Sequence, residues 1–178
     1  NLLRELLNEA GNNKRRLANL KSRKEVVEEK IKYIYVDSKA DKRKSKNPDV
    51  EKIIEEGIIF YENKQYADAK SKFYEALRIE VDNPYANAYL ASTLFEENPD
   101  DDKNITESSK RCSEALKENN TIIIAHITLG KIYYLKGLKD DALTKFHEVV
   151  RLDPNNYLSC YYSGKIYYDK KEYKKARL

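Results

Sequence analysis

The residues of this chain best suited to chemistry are few and far apart. Two histidines, His126 and His147, and two cysteines, Cys112 and Cys160, stand among 178 residues. So few ligands at such spacing argue against a Cys/His zinc site, and two cysteines cannot build a disulfide framework. Neither histidine has a Cys, Ser or carboxylate neighbour arranged as a triad. The run Asp100-Asp101-Asp102 lacks the glycine and distal glutamate of a calcium loop, and reads as a solvated loop. Five glycines, at 11, 57, 130, 137 and 164, supply neither GxGxxG nor a Walker A loop. Asn104-Ile105-Thr106 and Asn119-Asn120-Thr121 match the glycosylation sequon, a motif too short to count without a secretory context. The reading is therefore of a non-enzymatic chain, with no catalytic residue, metal or cofactor. What it has in quantity is tyrosine, fifteen of them, with no tryptophan or methionine.

The elements that must position those tyrosines are helices. Glycine and proline are scarce, 36% of residues are charged and 40% are hydrophobic, a composition of helices with few turns. No apolar run approaches the ~18 residues of a membrane span. A period is visible by eye. Gly130-Lys131-Ile132-Tyr133-Tyr134 returns 34 residues later as Gly164-Lys165-Ile166-Tyr167-Tyr168. Gly57-Ile58-Ile59-Phe60-Tyr61 has the same shape, and Ala91-Ser92-Thr93-Leu94-Phe95 lies 34 beyond it. From Ala91 to Gly130 the gap is 39, so five residues are inserted, placed by their polarity within 98–104. Twelve residues after each small residue comes a second one: Ala69, Ala142 and Ala176, with Ser108 in the unit that carries the insertion. Phe73 and Ala76, Cys112 and Ala115, and Phe146 and Val149 follow on the same helical face. A Gly or Ala on one helix lets the next approach, and that helix answers with an Ala and a buried Phe. Helices are expected at about 49–63, 67–80, 84–97, 105–118, 122–136, 139–152, 156–169 and from 172 onward, with Pro48 early in the first and an asparagine of Asp153-Pro154-Asn155-Asn156 as N-cap of the seventh.

This pattern resembles the tetratricopeptide repeat family, whose unit is a helix–turn–helix of 34 residues. Unit one, 50–83, has Ile53, Gly57, Phe60, Ala69, Phe73 and Ala76 at signature positions and departs at Glu56 and Val81. Unit two, 84–122, keeps Leu90, Ala91, Leu94, Ser108 and Ala115, with Cys112 replacing the aromatic. Unit three, 123–156, has Leu129, Gly130, Tyr133, Ala142, Phe146 and Pro154 and departs at His126 and Val149. Unit four, 157–178, keeps Gly164, Tyr167 and Ala176 and is truncated. The resemblance implies an all-α solenoid over residues 47–178, each unit touching only its neighbours. His126 then falls inward as a buried, hydrogen-bonded side chain, His147 on the surface, and Cys112 and Cys160 in the core as free thiols.

In that family the first helices line a concave groove. Carried onto this sequence, its groove positions are Ile54, Ile58 and Tyr61 in unit one and Tyr85, Tyr89 and Phe95 in unit two. Ile124, Lys131 and Tyr134 take them in unit three, and Tyr161, Tyr162, Lys165 and Tyr168 in unit four. Aromatic rings with a few polar tips suit a peptide or helix of a protein partner. The members that clamp the C-terminal carboxylate of chaperones use Lys, Asn and basic residues where this chain has Ile54, Ile58, Tyr89, Ile124 and Thr128, so that ligand is disfavoured.

Residues 1–46 stand apart from the repeat. They carry 14 Lys+Arg against 7 Asp+Glu, a net +7, whereas the remainder of the chain is −3. The densest basic run, Lys39 to Lys46, reads as solvated surface; binding to nucleic acid or an anionic membrane is the less favoured alternative. Leu3, Leu6, Leu17, Leu20, Val27, Ile31 and Ile34 share a heptad-like seam interrupted at Asn13 and Lys24. The seam fits one long coiled-coil-like helix or a hairpin bent at Gly11-Asn12-Asn13, the hairpin slightly preferred because glycine costs about 1 kcal/mol inside a helix. It offers a second docking element or a homo-oligomer contact. A first residue other than Met, and a fourth unit that stops early, lead us to expect a fragment of a larger protein, in which an anchor or leader could precede Asn1. The expected role is a scaffold or adaptor for protein–protein interaction, with a structural oligomerisation subunit as the alternative.

Overall fold

Asparagine before a run of good helix formers sets the start of three helices. Asn47, Asn83 and Asn156 each turn a side-chain oxygen onto backbone N–H groups of the following turn, with Pro48 and Pro84 just inside the first two. The computed structural model describes residue 45 and residues 47–172. Among these residues the chain forms seven α-helices and no strand: α1 (Pro48–Glu62), α2 (Tyr66–Ile79), α3 (Pro84–Glu97), α4 (Asp102–Glu118), α5 (Ile123–Leu135), α6 (Lys139–Leu152) and α7 (Tyr157–Asp169). The architecture is the all-α helix–turn–helix solenoid expected from the repeat. The N-terminal seam from Leu3 to Ile34, its choice of helix or hairpin, and the eighth helix lie outside the described residues.

Six of the seven helices fall within a residue of their expected bounds. The exception is α4, which begins at Asp102 rather than 105. Asp101 accepts a hydrogen bond from the Lys103 amide at 3.0 Å, and Asp102 places its charge in the first turn, where the helix dipole favours an anion. Asp100 thus stays in the turn, Asp101 caps the helix, and only Asp102 joins it. The five extra residues of the second unit are spread accordingly. Most lengthen α4, which has 17 residues against 14 in α2 and in α6.

Within a unit, the two helices are set by a side chain that is missing. A Cβ built on Gly57 would lie 2.6 Å from the Phe73 ring, and one on Gly130 would lie 2.7 Å from the Phe146 ring. Both rings are fully buried. In the second unit Ala91 and Cys112 stand at the equivalent positions, both buried, and the Ser108 hydroxyl donates to the Ala91 carbonyl at 2.8 Å. Large against none keeps the helices close in units one and three. Cys112 is buried as expected, whereas Cys160 is only half-buried. Its helix α7 has no packed second helix among the described residues.

The turn between paired helices also repeats. Lys64, Gly137 and Lys171 all adopt positive φ, at 60°, 75° and 60°. These positions lie seven residues beyond Gly57, Gly130 and Gly164. The left-handed conformation suits glycine and strains lysine. Lys64→Gly is therefore expected to raise stability by about 0.5–1 kcal/mol in denaturant unfolding. A destabilised variant would show that the turn is not strained. Gly130→Ala should act in the opposite sense, lowering stability by about 1–3 kcal/mol, because Phe146 is enclosed and cannot swing aside. An unchanged midpoint would disprove the close contact.

Candidate functional site

The first helices, α1, α3, α5 and α7, carry the side chains expected to meet a partner. Polar contacts join neighbours along the stack. The Tyr61 and Ser92 hydroxyls share a hydrogen bond of 2.8 Å. Lys131 donates to Glu96 at 2.6 Å. The Lys165 ammonium lies 5.1 Å from the centre of the Tyr134 ring, and the Tyr134 phenol raises its pKa. Ser92, Lys131 and Lys165 occupy the same position in units two, three and four, so this is a single ladder with changing rungs. Burial, with the nearby Glu96 carboxylate, pushes the Tyr61 phenol well above its usual range and keeps it protonated.

Two clusters of rings recur 73 residues apart. Tyr89 stacks on Phe73 with ring centres 5.7 Å apart and meets Tyr61 edge-on at 6.0 Å. Tyr162 stacks on Phe146 at 5.0 Å and meets Tyr134 edge-on at 5.5 Å. The junction between units two and three lacks this arrangement. Thr128 stands where the tyrosine would be and hydrogen-bonds Cys112; burial nevertheless pushes that thiol up to about 12.

The expected groove residues consequently divide into three groups. Ile54, Ile58, Tyr85, Phe95 and Ile124 are buried, which corrects the expectation that they line an open groove. Phe95 packs with Ile105 and Ile132, having no hydroxyl to keep in water. Tyr85 turns in so that its hydroxyl accepts from the Asn119 side chain at 3.1 Å. Tyr61, Tyr89, Lys131, Tyr134 and Tyr162 are half-buried and show one edge. Tyr161, Lys165 and Tyr168 are open to solvent, the two tyrosines at 61% and 66% exposure. Tyr161 also contacts Tyr162 edge-on at 5.4 Å, so Tyr134, Tyr161 and Tyr162 form one patch beside Lys165. Ser92 and Glu96 were missed as members of the ladder. Opposite charges at Glu96 and Lys131, in successive units, were the available signal. A separate depression of about 620 Å³ lies among second helices, lined by Tyr74, Arg78, Val81 and Arg111 on and after α2 and on α4.

His126 is buried, as its inward position implied, and His147 is exposed beside Tyr167. His126 Nε2 pairs with the Asn120 carbonyl at 2.9 Å, while Nδ1 has no partner among the described residues. Burial lowers its pKa, and Lys145 and Arg151 lower it further; the Asn120 carbonyl and Glu148 oppose them. The neutral ring is therefore the one that fits.

Residues 123–156 match the family model described as Tetratricopeptide repeat. No curated protein matches the chain. Among solved structures, the TPR domain of Arabidopsis OM64 is 18% identical, with a TM-score of 0.58 over 67% of this chain and 95% of that one. The first TPR of Spaghetti (RPAP3), bound to the HSP90 peptide SRMEEVD, is 19% identical with a TM-score of 0.58, covering 68% and 93%. YrrB, described as a TPR protein with an unusual peptide-binding site, is 24% identical with a TM-score of 0.52, covering 68% and 60%. At these identities the likeness is one of fold.

A depressed folded-state pKa means that His126 contributes stability above its unfolded value of about 6.5, and that this is lost as pH falls towards the folded value. The thermal midpoint should therefore drop between pH 7.5 and 5.5, and drop less in His126→Gln, which keeps a donor for Asn120. Equal drops in the two proteins would exclude His126 as the titrating group.

Proposed function

As a tetratricopeptide repeat protein, this chain is, we propose, a non-enzymatic adaptor that holds a peptide or helix of a protein partner against its first helices. The observation that carries this reading is the patch on α5 and α7: Tyr134, Tyr161 and Tyr162 beside the Lys165 ammonium, with Tyr168 exposed on the same helix. Tyrosines present broad contact area at low entropic cost and a hydroxyl for orientation. Tyr134 and Tyr162 are already held by neighbouring rings, so ordering them for a ligand costs little. The half-buried edges of Tyr61 and Tyr89 extend the surface towards α1 and α3. Its chemistry favours a segment bearing an apolar or aromatic side chain flanked by a hydrogen-bonding group.

A chaperone carboxylate is a poor ligand for this surface. Ile54, Ile58, Ile124 and Thr128 occupy four of the clamp positions, and all four are buried and uncharged. The heptad spacing of Leu3, Leu6, Leu17, Leu20, Val27, Ile31 and Ile34 supports a second docking or dimerising element within residues 1–46.

The test substitutes the exposed members, which leave the stacking rings in place. A Tyr161→Ala, Lys165→Ala, Tyr168→Ala chain should keep its helical circular dichroism. Its capture of partners, read by pull-down and mass spectrometry, should fall about 30-fold, as expected when interface anchors are removed. Undiminished capture by the triple variant sinks the surface assignment.

A further inference from the structure

The chain enters α1 through a clasp made by one carboxylate. The Ser45 hydroxyl donates to Glu80 Oε1 at 2.6 Å, and the Asn47 amide donates to the same oxygen at 3.0 Å. The Asn83 side chain donates to Glu80 Oε2 at 2.8 Å. Ser45 Oγ also accepts from the Asn47 amide at 3.1 Å. Glu80, just past the end of α2, thus ties the N-cap of α1 to the N-cap of α3. In the corresponding loop before α7, the Asp153 side chain accepts from Asn155 and Asn156 of its own loop. The extra methylene of glutamate, and Ser45 itself, are particular to this end of the stack.

Ser45 also closes the sequence Lys42-Arg43-Lys44-Ser45, the densest part of the basic run, which the adaptor reading leaves unused. Charge pattern around a hydroxyl is how kinases select substrates. The residue is half-buried, held by hydrogen bonds rather than enclosed.

We propose that Ser45 is a phosphorylation site, modified by a protein kinase that reads basic residues ahead of a serine, and that modification opens the Glu80 clasp. The donor is a nucleoside triphosphate. A bond forms between Ser45 Oγ and the γ-phosphorus, the bond from that phosphorus to the bridging oxygen breaks, and nucleoside diphosphate leaves. The hydroxyl proton passes to the base of the kinase. The product no longer has a hydroxyl to donate, and it sets up to two negative charges beside a carboxylate. The shortest of the three contacts becomes a repulsion, and the Asn47 amide loses the oxygen it shares with Ser45.

The experiment uses the full 178-residue chain. It is incubated with MgATP and a purified serine/threonine kinase of basic specificity, then mapped by mass spectrometry. Hydrogen exchange at the Asn47 amide is followed before and after. The expected result is phosphate on Ser45, none there in Ser45→Ala, and protection of the Asn47 amide reduced about tenfold, the loss of one charge-assisted hydrogen bond. In Glu80→Gln, phosphorylation should change the thermal midpoint by less than half as much as in the unsubstituted chain. No phosphate on Ser45, or unchanged Asn47 protection once it is phosphorylated, overturns the proposal. Equal midpoint shifts in the unsubstituted chain and in the Glu80→Gln variant overturn it as well.

Discussion

The approach of one helix to the next, through the space where a side chain is missing, governs the rest of this molecule. At Gly57 and Gly130 any Cβ would press on a phenylalanine ring at 2.6–2.7 Å. Because that space is empty, Phe73 and Phe146 reach the first helix of their own unit and are fully buried. Each ring also offers a face to the following unit, where Tyr89 and Tyr162 stack on it. Pairing within a unit and stacking between units are therefore one interaction, with phenylalanine as the shared part. The distance between helices, the angle at which the next unit docks and the tyrosine edge left for a partner all descend from it.

The same economy limits the surface. A tyrosine that stacks on a core phenylalanine cannot be wholly available to a ligand, and Tyr89 and Tyr162 are half-buried for this reason. Where the stacking pair is absent, between units two and three, the neighbouring aromatic Phe95 goes into the core with Ile105 and Ile132. The accessible rings therefore concentrate on α5 and α7. Lysines vary in the same way. Lys131 is held by Glu96, while the equivalent Lys165 faces a phenol and keeps its charge at the surface.

How much of this was legible depends on whether a feature is local or shared. The helices were legible, because 34-residue spacing, apolar faces and Asn or Pro at the starts all act within a few residues. The Gly–Phe approach was legible because small and large residues recur at fixed offsets. The start of α4 was not, since Asp101 reads equally as loop or cap until its side chain is seen on the Lys103 amide. The site was legible only in part. Position in the repeat tells which helix face a residue lies on, but not whether the next unit covers it. Tyr85 and Tyr89 share α3, yet one is buried on Asn119 and the other keeps an edge. That difference is decided across units, by partners that no single period contains.

The stacked ring pairs have a spectroscopic consequence. The chain has fifteen tyrosines and no tryptophan, so its near-ultraviolet signal comes almost wholly from phenols. Rings held 5.0–6.0 Å apart in fixed orientation, as Tyr89 and Tyr162 are with their neighbours, couple their transitions and give strong circular dichroism. Freely rotating surface tyrosines give little. The docking of unit two on unit one, and of unit four on unit three, is thereby written into the absorption band of the native chain, readable without any label.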